Sequence, residues 1–303
     1  MDLYHALTKD YMKKIISTIV FLVVTITTNA QQESLFSFYR NHMNIVNPAF
    51  AGAENETLLN SSYRKQWAGI KDAPETQAVS FGTHLGKSVG FGISMVHDKT
   101  FIEKQTFLGV DLSYKINLSE TYRLYMGVKV GGNFYDVNTT GLQTNNVMSD
   151  PALESINNFN PNVGLGFYLK HEDFYVSLSS PRILSTERAD ENNGFASTAT
   201  DRPHLYLSSG YNYMLNEKFD FIPSFMLRYV NGAPLNADIT ASVEYDKTIN
   251  LGIAYRTSNV ITELFSVVAS KRLTLGYAYE SALENDLKGR ANGTHEFILK
   301  FKI

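Results

Sequence analysis

Apolar side chains alternate with small, polar or charged ones in segment after segment beyond about residue 56. Between 106 and 118 the apolar positions are Leu108, Val110, Leu112, Tyr114, Ile116 and Leu118, and the others include Gly109, Asp111, Ser113, Lys115 and Asn117. Because successive strand side chains point to opposite faces, this pattern predicts strands with one apolar and one polar surface. No helical periodicity or two-sheet rhythm offers a cover for the apolar surface. Lipid is the remaining environment for the apolar surface, so we predict an all-β transmembrane antiparallel β-barrel.

The segments with this alternation number about fourteen, an even count as bacterial single-chain barrels have. They are 57–65, 76–85, 88–97, 106–118, 121–136, 160–170, 173–180, 203–215, 218–230, 236–246, 248–257, 259–269, 271–280 and 294–303. The alternation is poorest in 57–65 and 259–269. The side chains assigned to the inner face are rich in glycine and carry charges, which a dry core would not accept unpaired. We therefore predict a lumen that is either filled with water or plugged.

The connections between these segments fall into two groups. Short ones occur at 86–87, 119–120, 171–172, 216–217, 246–247 and 258–259, and long polar ones at 99–105, 137–158, 181–202, 231–235 and 281–293. Short turns are periplasmic and long loops extracellular in outer-membrane barrels. The two longest stretches are therefore predicted to be exposed extracellular loops.

The beginning of the chain has the pattern of a secretory signal peptide. Two lysines follow Met12, an apolar run covers 15–26, and small residues end at Ala30. The run is shorter than the roughly 20 residues of a spanning helix, and Gln31 in place of cysteine argues against a lipoprotein. We predict a signal peptide over 1–30, with Met12 as an alternative start, an irregular plug or docking segment over 31–56, and the barrel over 57–303.

Composition and motifs supply no chemistry beyond this. The chain of 303 residues has a net charge of −3 and no cysteine, so it predicts no nucleic-acid partner, disulfide or thiolate metal site. The histidines show no metal-ligand spacing, and neither a nucleophile elbow nor a phosphate-binding loop is present. Ser80, Ser94 and His84 are the residues that an outer-membrane hydrolase would use. We predict a non-enzymatic protein without a cofactor.

Two terminal segments carry more specific signals. Phe297, Leu299, Phe301 and Ile303 alternate up to the last residue, which resembles the C-terminal strand recognised by barrel-assembly machinery, although that strand usually ends in an aromatic residue. Residues 31–56 alternate little, and the run Asn47-Pro48-Ala49-Phe50-Ala51-Gly52 indicates ordered turns. This segment is too aromatic for a linker, so we expect it to pack against the lumen or a partner.

A resemblance to a known family rests on motifs in order along the chain. They include Phe36-Ser37-x-Tyr39, Asn47-Pro48-Ala49-Phe50-Ala51-Gly52, Tyr63-Arg64-x-Gln66-Trp67-x-Gly69, Ala73-Pro74-x-Thr76-Gln77, Gly90-Phe91-Gly92-Ile93-Ser94, Gly127-x-Lys129-x-Gly131, Pro161-Asn162-x-Gly164-x-Gly166 and His295-Glu296. Together they resemble the PorP/SprF outer-membrane proteins of the Bacteroidetes type IX secretion and gliding motility system. The resemblance implies a multi-pass outer-membrane barrel without catalysis.

The resemblance also implies partners. Relatives work with periplasmic ring lipoproteins and with a large secreted adhesin or C-terminal-domain substrate. We expect the first motifs to contact such partners, through Phe36, Tyr39, Asn47, Pro48, Phe50, Arg64, Gln66 and Trp67. Trp67 also fits an interfacial aromatic belt. The alternative function is a diffusion or hydrophobic-solute channel, because a barrel of this strand number can enclose a solute path.

Overall fold

Fourteen strands form one closed antiparallel barrel in the computed structural model, which describes residues 36–54, 56–139, 156–187, 200–283 and 292–303. The strands are β1 (Leu58–Lys65), β2 (Glu75–Leu85), β3 (Val89–Thr100), β4 (Glu103–Asn117), β5 (Arg123–Val137), β6 (Ile156–Lys170), β7 (Phe174–Ser180), β8 (His204–Tyr211), β9 (Phe219–Val230), β10 (Asn236–Tyr245), β11 (Ile249–Arg256), β12 (Val260–Val268), β13 (Leu273–Ala282) and β14 (Thr294–Lys302). Sequential strands pair throughout, and β1 pairs with β14 to close the ring. The predicted fold and strand count are confirmed.

The two faces of the barrel follow the alternation in the sequence. Val110, Leu165 and Ile239 are 45%, 51% and 58% exposed, as expected for side chains that face lipid. Inward neighbours such as Asp111 and Ser242 are buried. The two faces predicted for 106–118 are thus confirmed on β4, and the same alternation of burial occurs on β3, β5 and β10.

Connections at the two ends of the barrel differ in length. One end, called here the short-turn end, carries the connections 86–88, 118–122, 171–173, 212–218, 246–248 and 269–272 together with the C-terminal residue. The opposite end, called the long-loop end, carries the connections 66–74, 101–102, 138–155, 181–203, 231–235, 257–259 and 283–293. Residues 140–155, 188–199 and 284–291, which make up much of the predicted long loops, lie outside the described residues.

Two predictions about the connections were wrong. The stretch 99–105 is not a long loop, because β3 and β4 continue pairing to Thr100 and Glu103 and leave only a two-residue turn. Polar residues at the ends of these strands stay in the ladder, and Phe101 takes the left-handed φ of 53° that closes the turn. The turn at 258–259 was predicted to be periplasmic, but it lies at the long-loop end, because β11 runs from the short-turn end to that turn. β12 then returns to the short-turn end, where 269–272 forms another short turn.

In the described part of the chain, the helical residues form short turns before β1. A 3-10 turn at Tyr39–His42, an α-helical turn at Met43–Val46 and a 3-10 turn at Pro48–Phe50 follow one another. Across the described ranges no helix has the length and hydrophobicity to span a membrane. The predicted signal peptide, 1–30, lies outside the described residues.

Candidate functional site

Residues 36–54, called here the lumenal segment, lie inside the barrel against its inner wall. The Tyr39 hydroxyl donates to Ser224 Oγ on β9 at 2.9 Å, and Ser113 Oγ on β4 donates to the carbonyl of Ala51 at 2.5 Å. Ala49 and Asn47 have no exposed surface. Burial raises the pKa of the Tyr39 hydroxyl above its ordinary value, so burial further favours the protonated form that donates this hydrogen bond. The segment is therefore bound on several sides by wall residues.

Glycines in the wall make this close packing possible. A Cβ atom added at Gly127 on β5 would overlap the backbone of Pro48 and Ala49, and one added at Gly166 on β6 would overlap the Asn47 side chain. At Gly90 on β3 it would overlap the carbonyl of Ala51. Glycine in a strand commonly marks the close approach of another backbone. Gly90, Gly127 and Gly166, called here the glycine bed, therefore give the lumenal segment the space to lie against the wall.

Asn47 joins the local turn of the segment to the wall. Its Oδ1 accepts from the Ala49 amide at 2.8 Å, which caps the turn that starts at Pro48. Its Nδ2 donates to the Phe167 carbonyl at 2.9 Å and to Ser177 Oγ at 2.7 Å. Proline at the first position of the turn needs no donor there. The Asn-Pro pair thus combines a helix cap with a tertiary anchor.

Lys129 holds the same segment from inside the wall. Its Nζ pairs with Asp111 Oδ1 at 2.8 Å and donates to Ser94 Oγ at 3.0 Å and to the Asn44 carbonyl at 2.9 Å. The side chains of Lys129 and Asp111 are completely buried. A charge in that position needs partners, because an unpaired buried ion is costly. The pair and the segment therefore depend on one another.

A row of paired charges crosses the wall nearer the long-loop end. It runs from Arg64 on β1 through Glu296, Glu280, Arg256 and Asp238 to Arg228 on β9, and we call it the charge ladder. Arg64 lies 3.0 Å from Glu280 and 3.3 Å from Glu296, and Arg256 lies 2.6 Å from Asp238. Three arginines balance three carboxylates. The inner wall is therefore charged but electrically neutral along the charge ladder.

The charge ladder also anchors the start of the lumenal segment. Glu296 accepts from the Ser37 amide at 2.8 Å and from the Phe38 amide at 3.3 Å. Arg64 donates to Ser37 Oγ at 3.1 Å. Hydrogen bonds to ionised groups are about twice as strong as neutral ones. The segment is thus held near the long-loop end by hydrogen bonds to charged side chains, and near its centre by close packing against the wall glycines.

His42 is a buried exception to this dense hydrogen bonding. Its ring packs on Phe36 with 5.1 Å between centroids, and neither ring nitrogen has a hydrogen-bond partner. Burial lowers the pKa of His42 to about 4 from the ordinary 6.5. The imidazole is therefore neutral at pH 7 and acts as an aromatic packing group.

We expect the replacement His42→Phe to remove part of the acid sensitivity of the protein. Because the pKa of His42 is lower in the folded state, its neutral form favours folding above pH 6.5, and this contribution is lost as the pH falls towards 4. At pH 5 the wild type should lose about 2 kcal/mol that the variant retains. Urea unfolding in micelles at pH 7.5 and pH 5 measures the difference. An equal loss in both proteins would contradict the assignment.

The eight residues predicted to contact partners lie in different environments. Phe36, Tyr39, Asn47, Pro48 and Arg64 are buried in the lumen, where their polar atoms serve the contacts described above. Phe50 is half-buried and packs edge-on against Tyr168. Gln66 and Trp67 follow β1 at the long-loop end, and Trp67 is 38% exposed with a left-handed φ of 46°. The structure therefore brings five of them together around one buried segment.

Several residues of this site were not among those predicted. Lys129, Asp111, Glu296 and Glu280 share the inward phase of their strands, which was the available signal. Their partners depend on strand register, which alternation alone does not give. Arg64 was predicted as a partner contact, and its pairing across β13 and β14 became visible only with the register of the barrel.

The residues considered for catalysis or metal binding are not joined in the described ranges. Ser94 Oγ accepts from Lys129, Ser80 Oγ has no partner, and His84 lies near the short-turn end. No group of three or more histidine or acidic residues within the described ranges could hold a metal ion.

Space remains in the lumen beside the segment. A cavity of 470 Å³ separates the lumenal segment from the inner wall of β9–β14 and reaches the turns at 246–248 and 269–272. Another cavity, of 250 Å³, lies on the other side of the segment, beside the turn at 86–88. Both are at the short-turn end. The segment thus divides the lumen at this end rather than filling it.

Comparison with known proteins gives a family and a fold. A family model described as type IX secretion system membrane protein PorP/SprF matches residues 28–301. No curated protein matches the sequence. The CymD monoaromatic hydrocarbon channel is similar in structure, with 10% identity, a TM-score of 0.51, and coverage of 89% of this chain and 94% of that one. The Omp33 outer membrane protein of Acinetobacter baumannii has 9% identity, a TM-score of 0.46, and coverage of 82% and 97%. At this identity the likeness to CymD shows the barrel fold alone.

Proposed function

Because this chain belongs to the PorP/SprF family of type IX secretion system membrane proteins, we propose that it is a non-enzymatic component of that system. In this role the barrel binds or supports the export of a secreted surface protein and contacts the periplasmic ring complex. It is an outer-membrane barrel whose strands present a lipid-facing exterior, and it shares that architecture with outer-membrane channels. The binding and anchoring roles are the proposal.

The observation that carries the proposal, beside the family, is the lumenal segment. A diffusion channel needs a continuous water path, whereas residues 36–54 occupy the lumen. Lys129 and the charge ladder bind this segment, and its own Asn47 donates hydrogen bonds to β6 and β7. This occupancy supports a barrel that binds proteins at its ends. It argues against the alternative, a hydrophobic-solute or diffusion channel.

The predicted contact residues divide into two roles under this proposal. Phe36, Tyr39, Asn47, Pro48 and Arg64 hold the lumenal segment in place, since they are buried. Trp67 and Gln66, at the long-loop end, offer surface to a protein held outside the cell. Phe50 faces the cavity at the short-turn end, where the ring complex would approach.

Removal of the protein from its native host tests the proposal. We expect one or a few secreted surface proteins to disappear from the cell surface while most others of the same secretion system remain. Mass spectrometry of surface-labelled proteins measures this, with the restored gene as the control. An unchanged set of surface proteins would contradict the proposed role.

A further inference from the structure

We propose that the cavity of 470 Å³ beside the lumenal segment binds an acidic polypeptide segment that enters from the short-turn end. The inference rests on the proposed function, because it names the chemistry of a protein partner. The inference is based on the charges that line the cavity, the spacing of its cations and the hydroxyl groups between them.

Positive charge predominates in the cavity lining. Arg40, Lys247, Lys271, Lys300 and Lys302 face two carboxylates, Glu54 and Glu244. Lys302 pairs with Glu56, and Glu54 pairs with Lys170, so both are already neutralised. The other four cations form no ion pair within the described part of the chain, and Glu244 is the one unpaired carboxylate that lines the cavity. This cavity therefore differs from the charge ladder, where every arginine is matched.

The four cations come from different elements. Arg40 belongs to the lumenal segment and lies over the Tyr175 ring at 5.8 Å, Lys300 is half-buried on β14, and Lys247 and Lys271 lie in the turns that form the rim. Neighbouring strands are about 4.8 Å apart, so β10 and β14 are about 19 Å apart along the wall. A single small anion cannot contact groups spread so widely, but an extended peptide covers that distance with about six residues.

Hydroxyl groups line the wall between these cations. Ser224, Thr240, Ser242, Ser266, Ser270, Thr248 and Thr274 contribute to the lining. Hydroxyls both donate and accept, so they suit the backbone and carboxylates of a peptide. The volume lies within the range of about 300–1,000 Å³ for ligand sites. Short turns are periplasmic in outer-membrane barrels, so the site would receive a segment from the periplasm.

A peptide-binding measurement on the purified full-length barrel in micelles tests the proposal. The probe is a fluorescein-labelled peptide of about ten residues that alternates glutamate and glycine, with a glutamine version as the neutral comparison. We expect the acidic peptide to bind and the neutral one not to bind. The combined variant Lys247→Gln, Lys271→Gln and Lys300→Gln should weaken binding at least about tenfold, because it removes charge-assisted contacts.

The control variant is Lys87→Gln, Lys115→Gln and Lys218→Gln, which makes the same charge change at the same end of the barrel. Lys87 and Lys115 line the other cavity, so binding should be unchanged. Retained heat-modifiability shows that both variants are folded. Equal binding of the acidic peptide by the wild type, the triple variant and the control variant would overturn the proposal, and so would the absence of binding to the wild type. Complete displacement of the peptide by inorganic phosphate at the same concentration of negative charge would also overturn it. If cells that carry the triple variant still display the secreted surface protein, the proposed function stands and the proposed peptide site fails.

Discussion

The double variant Gly127→Ala with Gly166→Ala should release the lumenal segment and give a barrel that conducts ions. Each added methyl group would overlap the segment at Asn47, Pro48 or Ala49, and both positions lie on paired wall strands that cannot move apart easily. Overpacking of this kind costs about 1–3 kcal/mol per site. The displaced Asn47 would also lose its hydrogen bonds to Phe167 and Ser177.

Planar-bilayer recordings of the full-length protein measure this effect. The wild type should be silent, and the double variant should show stepwise conductance together with new protease cleavage within 36–54. Gly252→Ala is the matched control, since the atoms nearest to its added Cβ belong to Ser242, Ala241 and Leu264 of the barrel wall rather than to the lumenal segment. A double variant that stays silent with a protected segment would contradict the proposed role of the glycine bed.

Arg64→Met should be one of the most destabilising single replacements in the barrel. The Arg64 side chain is 1% exposed and is the direct partner of both Glu280 and Glu296, the second of which has no exposed surface. Without Arg64, Glu280 keeps its pair with Arg256, but Glu296 is left charged without its arginine. Leaving one member of a buried ion pair uncompensated costs about 3–5 kcal/mol. The variant would also loosen Ser37 and the start of the lumenal segment.

The neighbouring residue supplies the control for that loss. Lys65 lies on the outer face and forms an exposed pair with Glu75 at 2.7 Å. Exposed pairs contribute about 0–1 kcal/mol, so Lys65→Met should change stability little. Urea unfolding of both variants in micelles, followed by heat-modifiability on gels, compares them. Equal destabilisation would show that the charge ladder contributes no more than a surface pair.

The barrel itself was predictable from the sequence because its rule is local. Alternation along 106–118 determines which side chains face lipid, and it does so independently of which strand pairs with this one. All fourteen predicted segments contain a strand. The connections were predicted less well, because polarity was used as a measure of loop length. The polar ends of β3 and β4 remain paired, and only register shows that.

The interior was less predictable because it depends on pairs distant in sequence. Arg64 and Glu296 are separated by 232 positions, and Lys129 binds the carbonyl of Asn44 across 85. The motif Asn47-Pro48-Ala49 indicated an ordered turn, but its anchors on β6 and β7 follow from the folded barrel. The glycine-rich inner face was visible in the sequence, and the structure shows that the lumenal segment lies against part of it.

The lumenal segment makes the interior asymmetric. It packs against the glycine bed of β3, β5 and β6 and leaves the cationic cavity against β9–β14. A barrel arranged in this way offers a fixed core near the centre and a polar recess at the short-turn end. That arrangement suits a component that receives a polypeptide better than one that passes solutes.

Affinity purification of the tagged protein from its own outer membrane, after crosslinking, tests the central proposal most directly. Mass spectrometry should identify periplasmic ring lipoproteins or a large secreted surface protein together with the barrel. Reproducible recovery of the barrel alone, combined with conductance of the wild type in planar bilayers, would contradict the secretion role and support a transport channel.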